Sequence, residues 1–454
     1  MRDIRSIVMP GPRLRRLRVS AADLIQPLAA VFARGLEAGI KFGFQIVLAR
    51  TLGSTEAGLF LLALSIQTVL HNVAHFGIDH ALIPSVARLN AREPKETTFA
   101  AILAALGLLF LASIPFALAV ALVAGPVSSG VFGKPELAGP LRWLALGIIP
   151  YALLSGIGSA LTGLGAAAAG DFLKNSLWQA ACTILLLGLA TAAGAAAAAT
   201  ATTVVAMLCS WMLLRRLLPA RWPPLRRLTL PAGLTATAAP LYVVDTIGIV
   251  LVSVPTVLLG AFGSSEEVAI FAVANRIALI ILAVTSAIGY AASPRFTVIS
   301  DDNDKEALGR ALSRVALLAT AICLPLALGV LIFPREIMAL FGPDYVAGAP
   351  VLRVLIAGNL LCVGFTGYSE LLAMSGNAHL LRTVSLVVLA VCTVLSLGLI
   401  PLFGAMGAAA ASAITVSVGA ILSGLAVRRR LGLPAIPLLA VGVADRFRRP
   451  VPGR

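Results

Sequence analysis

The stretch from Phe99 to Val123 reads FAAILAALGLLFLASIPFALAVALV and contains no charged side chain. As an α-helix it would be about 38 Å long, which exceeds the ~30 Å hydrocarbon core of a bilayer. Pro115 near its middle predicts a kink. Similar runs recur along the whole chain, so the hydropathy pattern predicts a protein that crosses a membrane many times.

The composition of the 454 residues excludes other fold classes. Hydrophobic residues make up 59% of the chain and charged residues only 12%, against about 25% in soluble domains. A soluble fold of this size could not cover its apolar surface with so few charges, and intrinsic disorder is excluded for the same reason. The five cysteines form no CxxC pair, so neither a disulfide framework nor a zinc site is indicated.

Polar breaks divide the apolar runs into about 12 transmembrane helices, which predicts an all-α polytopic membrane protein. The predicted spans lie near residues 24–50, 56–78, 99–123, 140–163, 173–194, 196–217, 234–262, 267–290, 309–333, 347–373, 380–403 and 405–427. The predicted segments are a basic tail (1–23), a first six-helix lobe (24–217), a linker (218–233), a second lobe (234–427) and a basic tail (428–454).

The distribution of basic residues predicts the orientation in the membrane. Of the 35 Lys and Arg residues, 27 fall on the side of the two termini, five on the opposite side and three inside spans. Because cytoplasmic segments carry the excess of basic residues, both termini are predicted to be cytoplasmic. The net charge of +15 is then mostly an orientation signal, and no nucleic-acid partner is predicted.

The two halves of the chain repeat at an offset of about 210 residues. GSTE at 53–56 matches GSSE at 263–266, and Pro115 matches Pro325. Each half contains six predicted spans, so both copies enter the membrane in the same direction. The lobes should therefore be related by a pseudo-twofold axis along the membrane normal, with a cavity between them.

Charged residues inside the predicted spans are candidate site residues, because a cation at mid-membrane costs roughly 2.5–3.5 kcal/mol. Arg34, Glu37 and Lys41 fall within about 60° of one another on the first span. The alternative is structural: Glu37, one turn from Lys41, neutralises it.

Arg276 is predicted near the middle of the eighth span, beside Asn275. Its guanidinium suits bidentate binding of a phosphate group. The alternative is a salt bridge to Asp245 on the seventh span, which lies at a similar depth.

His71, His75 and Asp79 recur every four residues on the second span. This spacing predicts polar cavity lining or a coupling role for the two histidines, since HxxxH alone is weak evidence for a metal. The chain contains no GxxxxGK[ST], GxSxG or HExxH motif. We therefore predict neither a cofactor, a metal nor an enzymatic activity.

Three stretches resemble the polysaccharide flippases. LARTLGSTEAGLFLLALS at 48–65 is similar to their first and second spans, and LFGPDYVAGAPVLR at 340–353 is similar to a segment of their second half. PLFGAMGAA at 401–409 is similar to their turn between the last two spans. The resemblance extends over nearly all of residues 24–430.

That family is a branch of the multidrug/oligosaccharidyl-lipid/polysaccharide exporter (MOP) superfamily, and the resemblance implies its MATE-like fold. It also implies a flippase that moves undecaprenyl-diphosphate-linked oligosaccharide across the bacterial inner membrane, with polysaccharide polymerase and glycosyltransferases as partners. Arg34, Lys41 and Arg276 become candidates for binding the diphosphate. The alternatives are a drug/cation antiporter of the same superfamily, which would depend on acids such as Glu37 and Asp245, and a major-facilitator transporter.

Overall fold

The computed structural model describes residues 21–218, 222–224, 228–231, 234–301, 305–374 and 378–433. These residues are mostly helical and contain no β-strand, which confirms the predicted all-α class. The helices are α1 (Ala21–His75), α2 (Ile78–Arg92), α3 (Lys95–Gly130), α4 (Ala138–Gly163), α5 (Ala167–Phe172), α6 (Trp178–Leu186), α7 (Ala192–Leu217), α8 (Leu234–Phe262), α9 (Ser265–Asp301), α10 (Lys305–Ile332), α11 (Pro334–Ala339), α12 (Ala349–Val363), α13 (Tyr368–Met374) and α14 (Ala378–Leu431).

The predicted tails and linker fall for the most part outside the described residues, and the predicted lobe boundaries stay predictions. A π-helical turn (Leu173–Leu177) joins α5 to α6, and 3₁₀ turns (Pro135–Leu137 and Pro343–Gly348) precede α4 and α12.

Eight helical stretches of the described chain are long and apolar enough to cross a membrane. Two of these stretches hold two predicted spans each, because α1 bends at Gly53 and α14 bends at Gly404. Both glycines have positive φ, 73° and 54°, which residues with a Cβ rarely adopt. The α5–α6 pair and α8 cover the two remaining predicted spans, so the helices account for all of them.

Two segments between predicted spans, on the side where the termini are predicted, are largely helical. Residues 79–98 lie mainly in α2 and the start of α3, and residues 291–314 lie in the end of α9 and the start of α10. On α2 the side chains of Ile78, Leu82 and Val86 are buried in the same apolar cluster as residues of α3 and α4. These segments carry many charged residues, but they also have apolar faces and continue the spanning helices.

The duplication is visible in how two glutamates bind helix starts. Glu56 accepts a hydrogen bond from the backbone N–H of Ala192, at the start of α7, with a distance of 2.6 Å. Glu267 accepts one from the N–H of Ala405, just after the bend in α14, at 3.3 Å. A carboxylate at such a site is favoured by the unpaired N–H groups and the helix dipole. In the second half this contact is made by Glu267, the residue after Glu266, which the sequence matches with Glu56.

The two halves of the chain meet tightly near Gly53 and Gly263, a region that we call the closed end. Gly58 on α1 faces the backbone of α9, and a Cβ at Gly58 would overlap the carbonyl oxygen of Ser265. Glycine is therefore required here by close approach of two backbones.

Four polar contacts also bridge the halves at the closed end. They are Arg50 Nε to Leu340 O at 2.8 Å, Ser54 Oγ to Asp344 Oδ2 at 3.4 Å, Thr55 Oγ1 to Glu266 Oε1 at 3.3 Å, and Lys134 Nζ to Gly263 O at 2.8 Å. Lys134 also donates to the carbonyl of Gly260, at the carboxyl end of α8, where a cation is favoured by the helix dipole. Burial lowers the pKa of the Lys134 ammonium, and the carboxylate of Glu267 opposes that shift.

Substituting Gly58 by valine is expected to force the closed end apart. Overpacking of about 1–3 kcal/mol would weaken the association of the two halves at this end by about 5- to 150-fold. The readout is disulfide cross-linking between cysteines introduced at Thr55 and Glu266, which should fall in the Gly58→Val background. Gly107→Val is the matched control, because Gly107 lies within α3 with open space around it. Equal cross-linking in the two backgrounds would contradict the close approach.

Candidate functional site

A cavity of about 220 Å³ lies among α1, α4, the α5–α6 segment, α7 and α9. Its polar lining consists of amides, hydroxyls, an imidazole and two cations. The neutral polar residues are Gln67, Thr68, His71, Tyr151, Asn175, Gln179, Thr200 and Thr203. The cations are Lys41, from the first half of the chain, and Arg276, from the second half.

Both cations lie at a similar depth below the closed end. Lys41 is twelve residues before the bend at Gly53, and Arg276 is eleven residues after the start of α9 at Ser265. At 1.5 Å per residue both lie about 17 Å along their helices, which is close to half of a ~30 Å hydrocarbon core. If the hydrocarbon core begins at the closed end, both cations lie near its mid-depth.

Lys41 is already paired within its own helix. Its Nζ lies 2.6 Å from Oε1 of Glu37, and the two side chains are 38% and 12% exposed. This distance fits the structural alternative from the sequence, in which Glu37 neutralises Lys41. The side chain of Arg34, the third charge of this group, lies outside the described residues.

Arg276 is exposed to the cavity. No described side chain forms an ion pair with it; the side chain of Asp245, its possible partner from the sequence, lies outside the described residues. Asn275 is half-buried and is not among the residues that line the cavity. Of the second-half candidates whose side chains the structure describes, Arg276 lines the cavity and Asn275 does not.

His71 connects the cavity to a buried polar cluster behind it. The ring of His71 packs edge-on against those of Tyr151, at 4.1 Å between centroids, and His75, at 3.6 Å. His75 Nδ1 lies 3.6 Å from Oδ2 of Asp79. Nδ1 of His71 and Nε2 of His75 are buried and have no hydrogen-bond partner among the described atoms. The predicted polar face is thus divided: His71 lines the cavity, whereas His75 and Asp79 lie deeper.

Asp79 is the centre of this cluster and only 5% exposed. Ser155 donates a hydrogen bond to Asp79 Oδ2 at 2.8 Å, and Lys174 Nζ lies 3.5 Å from the same oxygen. The backbone N–H of His80 donates to Oδ1 at 2.9 Å. A buried carboxylate needs such partners, because an unpaired charge in a protein interior is strongly destabilising.

The break between α1 and α2 positions Asp79. Phe76 and Gly77 both have positive φ, 49° and 68°, so the second span does not run straight into α2. Phe76 is held by ring contacts with Phe116 and Tyr242. As a result Asp79 lies in the first turn of α2 and faces the interior of the protein.

Lys174, one of the 27 basic residues on the predicted side of the termini, also takes part in this cluster. It lies in the π-helical turn, with its side chain 21% exposed and directed to Asp79. The signal for its position was local: Lys174, Asn175 and Gln179 are polar residues at the start of an otherwise apolar run. Single π-helical turns often mark functional positions.

The cluster offers a chain of titratable groups from the cavity inwards. Contacts join His71 to His75, His75 to Asp79, and Asp79 to Lys174. Among the described residues, no group of three or more His, Cys, Asp or Glu side chains is arranged to hold a metal. The cavity can bind an anion at its two cations, and the buried polar cluster lies beside it.

Comparisons with known proteins agree with this architecture. The sequence model described as "polysaccharide biosynthesis protein" matches residues 28–300, and the model described as "MatE" matches residues 247–402. A probable flippase, AglR of Haloferax volcanii, is 29% identical over 172 residues, which are 37% of this chain and 36% of that protein. The match thus spans about a third of that relative.

Solved structures are similar over most of the chain. An inward-facing multidrug-resistance MATE transporter of the MOP superfamily aligns with a TM-score of 0.70 and 15% identity, covering 87% of this chain and 94% of that one. The lipid II flippase MurJ in an inward closed conformation aligns with a TM-score of 0.69 and 13% identity, covering 94% of each chain. At such identities the likeness concerns the fold, which confirms the predicted MATE-like architecture. The chain therefore belongs to the polysaccharide biosynthesis protein family.

Proposed function

We propose that the protein flips an oligosaccharide linked through a diphosphate to a polyprenyl lipid across the membrane. The carrying observation is that Lys41 and Arg276, one cation from each half, line a single cavity together with amide and hydroxyl side chains. The cations would hold the diphosphate, the amides and hydroxyls would bind sugar, and the polyprenyl tail would stay in lipid.

The electrostatics favour an anionic substrate. Because Glu37 neutralises Lys41, the charge contributed by the described lining residues comes mainly from Arg276. A guanidinium forms two parallel, charge-assisted hydrogen bonds with a phosphate group, and these are stronger in a partly dehydrated cavity. An organic cation would meet repulsion from Arg276, which makes the drug/cation antiporter the weaker candidate.

The cavity volume bears on the transport cycle. About 220 Å³ lies below the ~300 Å³ at the low end of pockets for drug-sized ligands, so this form admits the diphosphate but not a whole oligosaccharide. The halves must therefore separate for the sugars to pass. In our proposal the closed end faces the periplasm, both termini are cytoplasmic, and the two halves rock in alternating access in a bacterial inner membrane. Enzymes that assemble and polymerise the sugar would be its partners.

Purified protein in sealed vesicles is expected to move a fluorescent, diphosphate-linked oligosaccharide lipid between leaflets without ATP. The chain carries no Walker motif, so any coupling would come from an ion gradient. The measurement is the fraction of fluorescence that an added membrane-impermeant quencher reaches over time. Export of an organic cation, with no movement of the lipid-linked sugar, would support the antiporter instead. Dependence on ATP by the pure protein would contradict the proposal.

A further inference from the structure

A groove of about 750 Å³ lies between α9 and α10, away from the central cavity. Its walls are apolar along most of their length, with Val284, Ile288 and Ala291 on α9 and Leu318 and Ile322 on α10. Leu318 and Ile322 are 53% and 46% exposed, so the groove is accessible from the surface of the helices.

Three arginines lie at one end of this groove: Arg295 on α9 and Arg310 and Arg314 on α10. All three are exposed, and Arg310 also contacts Glu306 at 3.2 Å. Arg295 is six residues from the end of α9 at Asp301, and α10 begins at Lys305. The arginines therefore share the end of the groove that is nearer to the turn between the two helices.

The distance along the helices separates the charged and apolar parts. Val284 lies about 17 Å from Arg295 along α9, and Ile322 lies about 12 Å from Arg314 along α10. A ligand that filled the groove would have an anionic group near the membrane surface and an apolar chain that extends toward the middle of the bilayer.

We propose that this groove is the docking site for the diphosphate and polyprenyl chain of the substrate, occupied before the diphosphate reaches the central cavity. A diphosphate carries more charge than the single phosphate of a phospholipid, which suits three arginines. One trough between two helices accommodates one chain, whereas a phospholipid has two. This inference rests on the proposed function.

Helix α9 links the docking site to the cavity. Ala287 in the groove lies eleven residues after Arg276 and, at 100° per residue, within about 20° of it around the helix. A lipid in the groove therefore lies beside the face of α9 that carries the cavity cation. The diphosphate can pass along this one helix from the arginine cluster to Arg276.

The test measures binding of a photoreactive polyprenyl diphosphate to the full-length protein in nanodiscs of neutral phosphatidylcholine. The triple variant Arg295→Gln, Arg310→Gln, Arg314→Gln should bind about 100-fold more weakly, since each basic residue at a membrane surface adds about a factor of five. The matched control is Arg428→Gln, Arg429→Gln, Arg430→Gln at the end of α14, with the same loss of charge from exposed arginines. It should bind as the wild type does.

A second variant tests the chain rather than the charge. Ala291→Trp should fill the apolar part of the groove and remove photolabelling from α9 and α10, while the arginines remain. Unchanged labelling in both the triple variant and Ala291→Trp would overturn the proposal. Displacement of the probe by an equal concentration of phosphatidylglycerol would also overturn it, because the groove would then be a general site for anionic phospholipids.

The cavity variant Arg276→Ala separates this inference from the proposed function. It should lose lipid flipping but keep photolabelling of the groove. If the wild-type protein binds the probe in the groove and does not flip the lipid-linked sugar, the docking site stands and the proposed function fails. If flipping occurs and the groove variants bind normally, the proposed function stands and the docking site fails.

Discussion

The Arg276→Ala variant is expected to flip diphosphate-linked oligosaccharide lipid about 10- to 150-fold more slowly than the wild type, while it still inserts and folds. The variant removes a charge-assisted hydrogen bond to the substrate in a partly dehydrated cavity, which contributes roughly 1.5–3 kcal/mol. The measurement is the initial rate of quencher accessibility in vesicles. Arg276→Lys should recover only part of the rate, because an ammonium lacks the bidentate fork.

The control for this prediction is Arg335→Ala, which shortens an exposed arginine in α11, outside the cavity. It should transport at the wild-type rate. A different pattern would follow if Arg276 only neutralised Asp245. In that case the double variant Arg276→Ala, Asp245→Ala would regain full activity, and the diphosphate-binding role would be wrong.

The Asp79→Ala variant is expected to lose about 3–5 kcal/mol of folding stability. It leaves the half-buried Lys174 without its carboxylate and the buried Ser155 without its acceptor. The measurement is thermal unfolding of the purified protein in detergent. Glu306→Ala is the matched control, because Glu306 is also paired with a cation but is 87% exposed, and it should change stability by no more than about 1 kcal/mol.

Removing both charges of the pair should be milder than removing one. The double variant Asp79→Ala, Lys174→Met should be more stable than Asp79→Ala alone, since neither charge is then left unpaired in the interior. If Asp79→Ala were as stable as Glu306→Ala, the buried cluster would not contribute to the fold. Equal stability of the single and double variants would show that Lys174 does not interact with Asp79.

The fold was predictable because hydropathy and charge bias act over whole helices. Long uncharged runs mark spans wherever they occur, and a match such as Pro115 with Pro325 exposes the duplication without any structure. The boundaries were less accurate. Helix α2 is amphipathic, and the charged residues on its polar face made its sequence resemble that of a loop. The π-helical turn lies at the start of the predicted fifth span, and its hydrogen-bond pattern could not be predicted from the polar residues there.

The candidate site was predictable only where it depends on helical spacing. Glu37 and Lys41 are one turn apart, and they pair as that spacing predicts. His71 lines the cavity because it lies on the polar helix face that the four-residue spacing predicts. Lys174 meets Asp79 across 95 positions of the chain, and such a contact depends on how α5, α6 and α2 pack. The spacing of residues within one segment therefore cannot predict this contact.

The glycine bends at Gly53 and Gly404 have a practical consequence for labelling the molecule. At both places one helix passes directly into the next, so there is no loop into which a tag could be inserted without separating packed helices. Gly404 also faces Glu267, whose carboxylate a Cβ at that position would overlap. The short connections around Gly133 and Gly342 are no roomier, because Lys134 and Asp344 beside them bridge the halves. Fluorophores and epitopes therefore belong on the termini or on exposed single side chains, and insertions at this end of the molecule should lower expression.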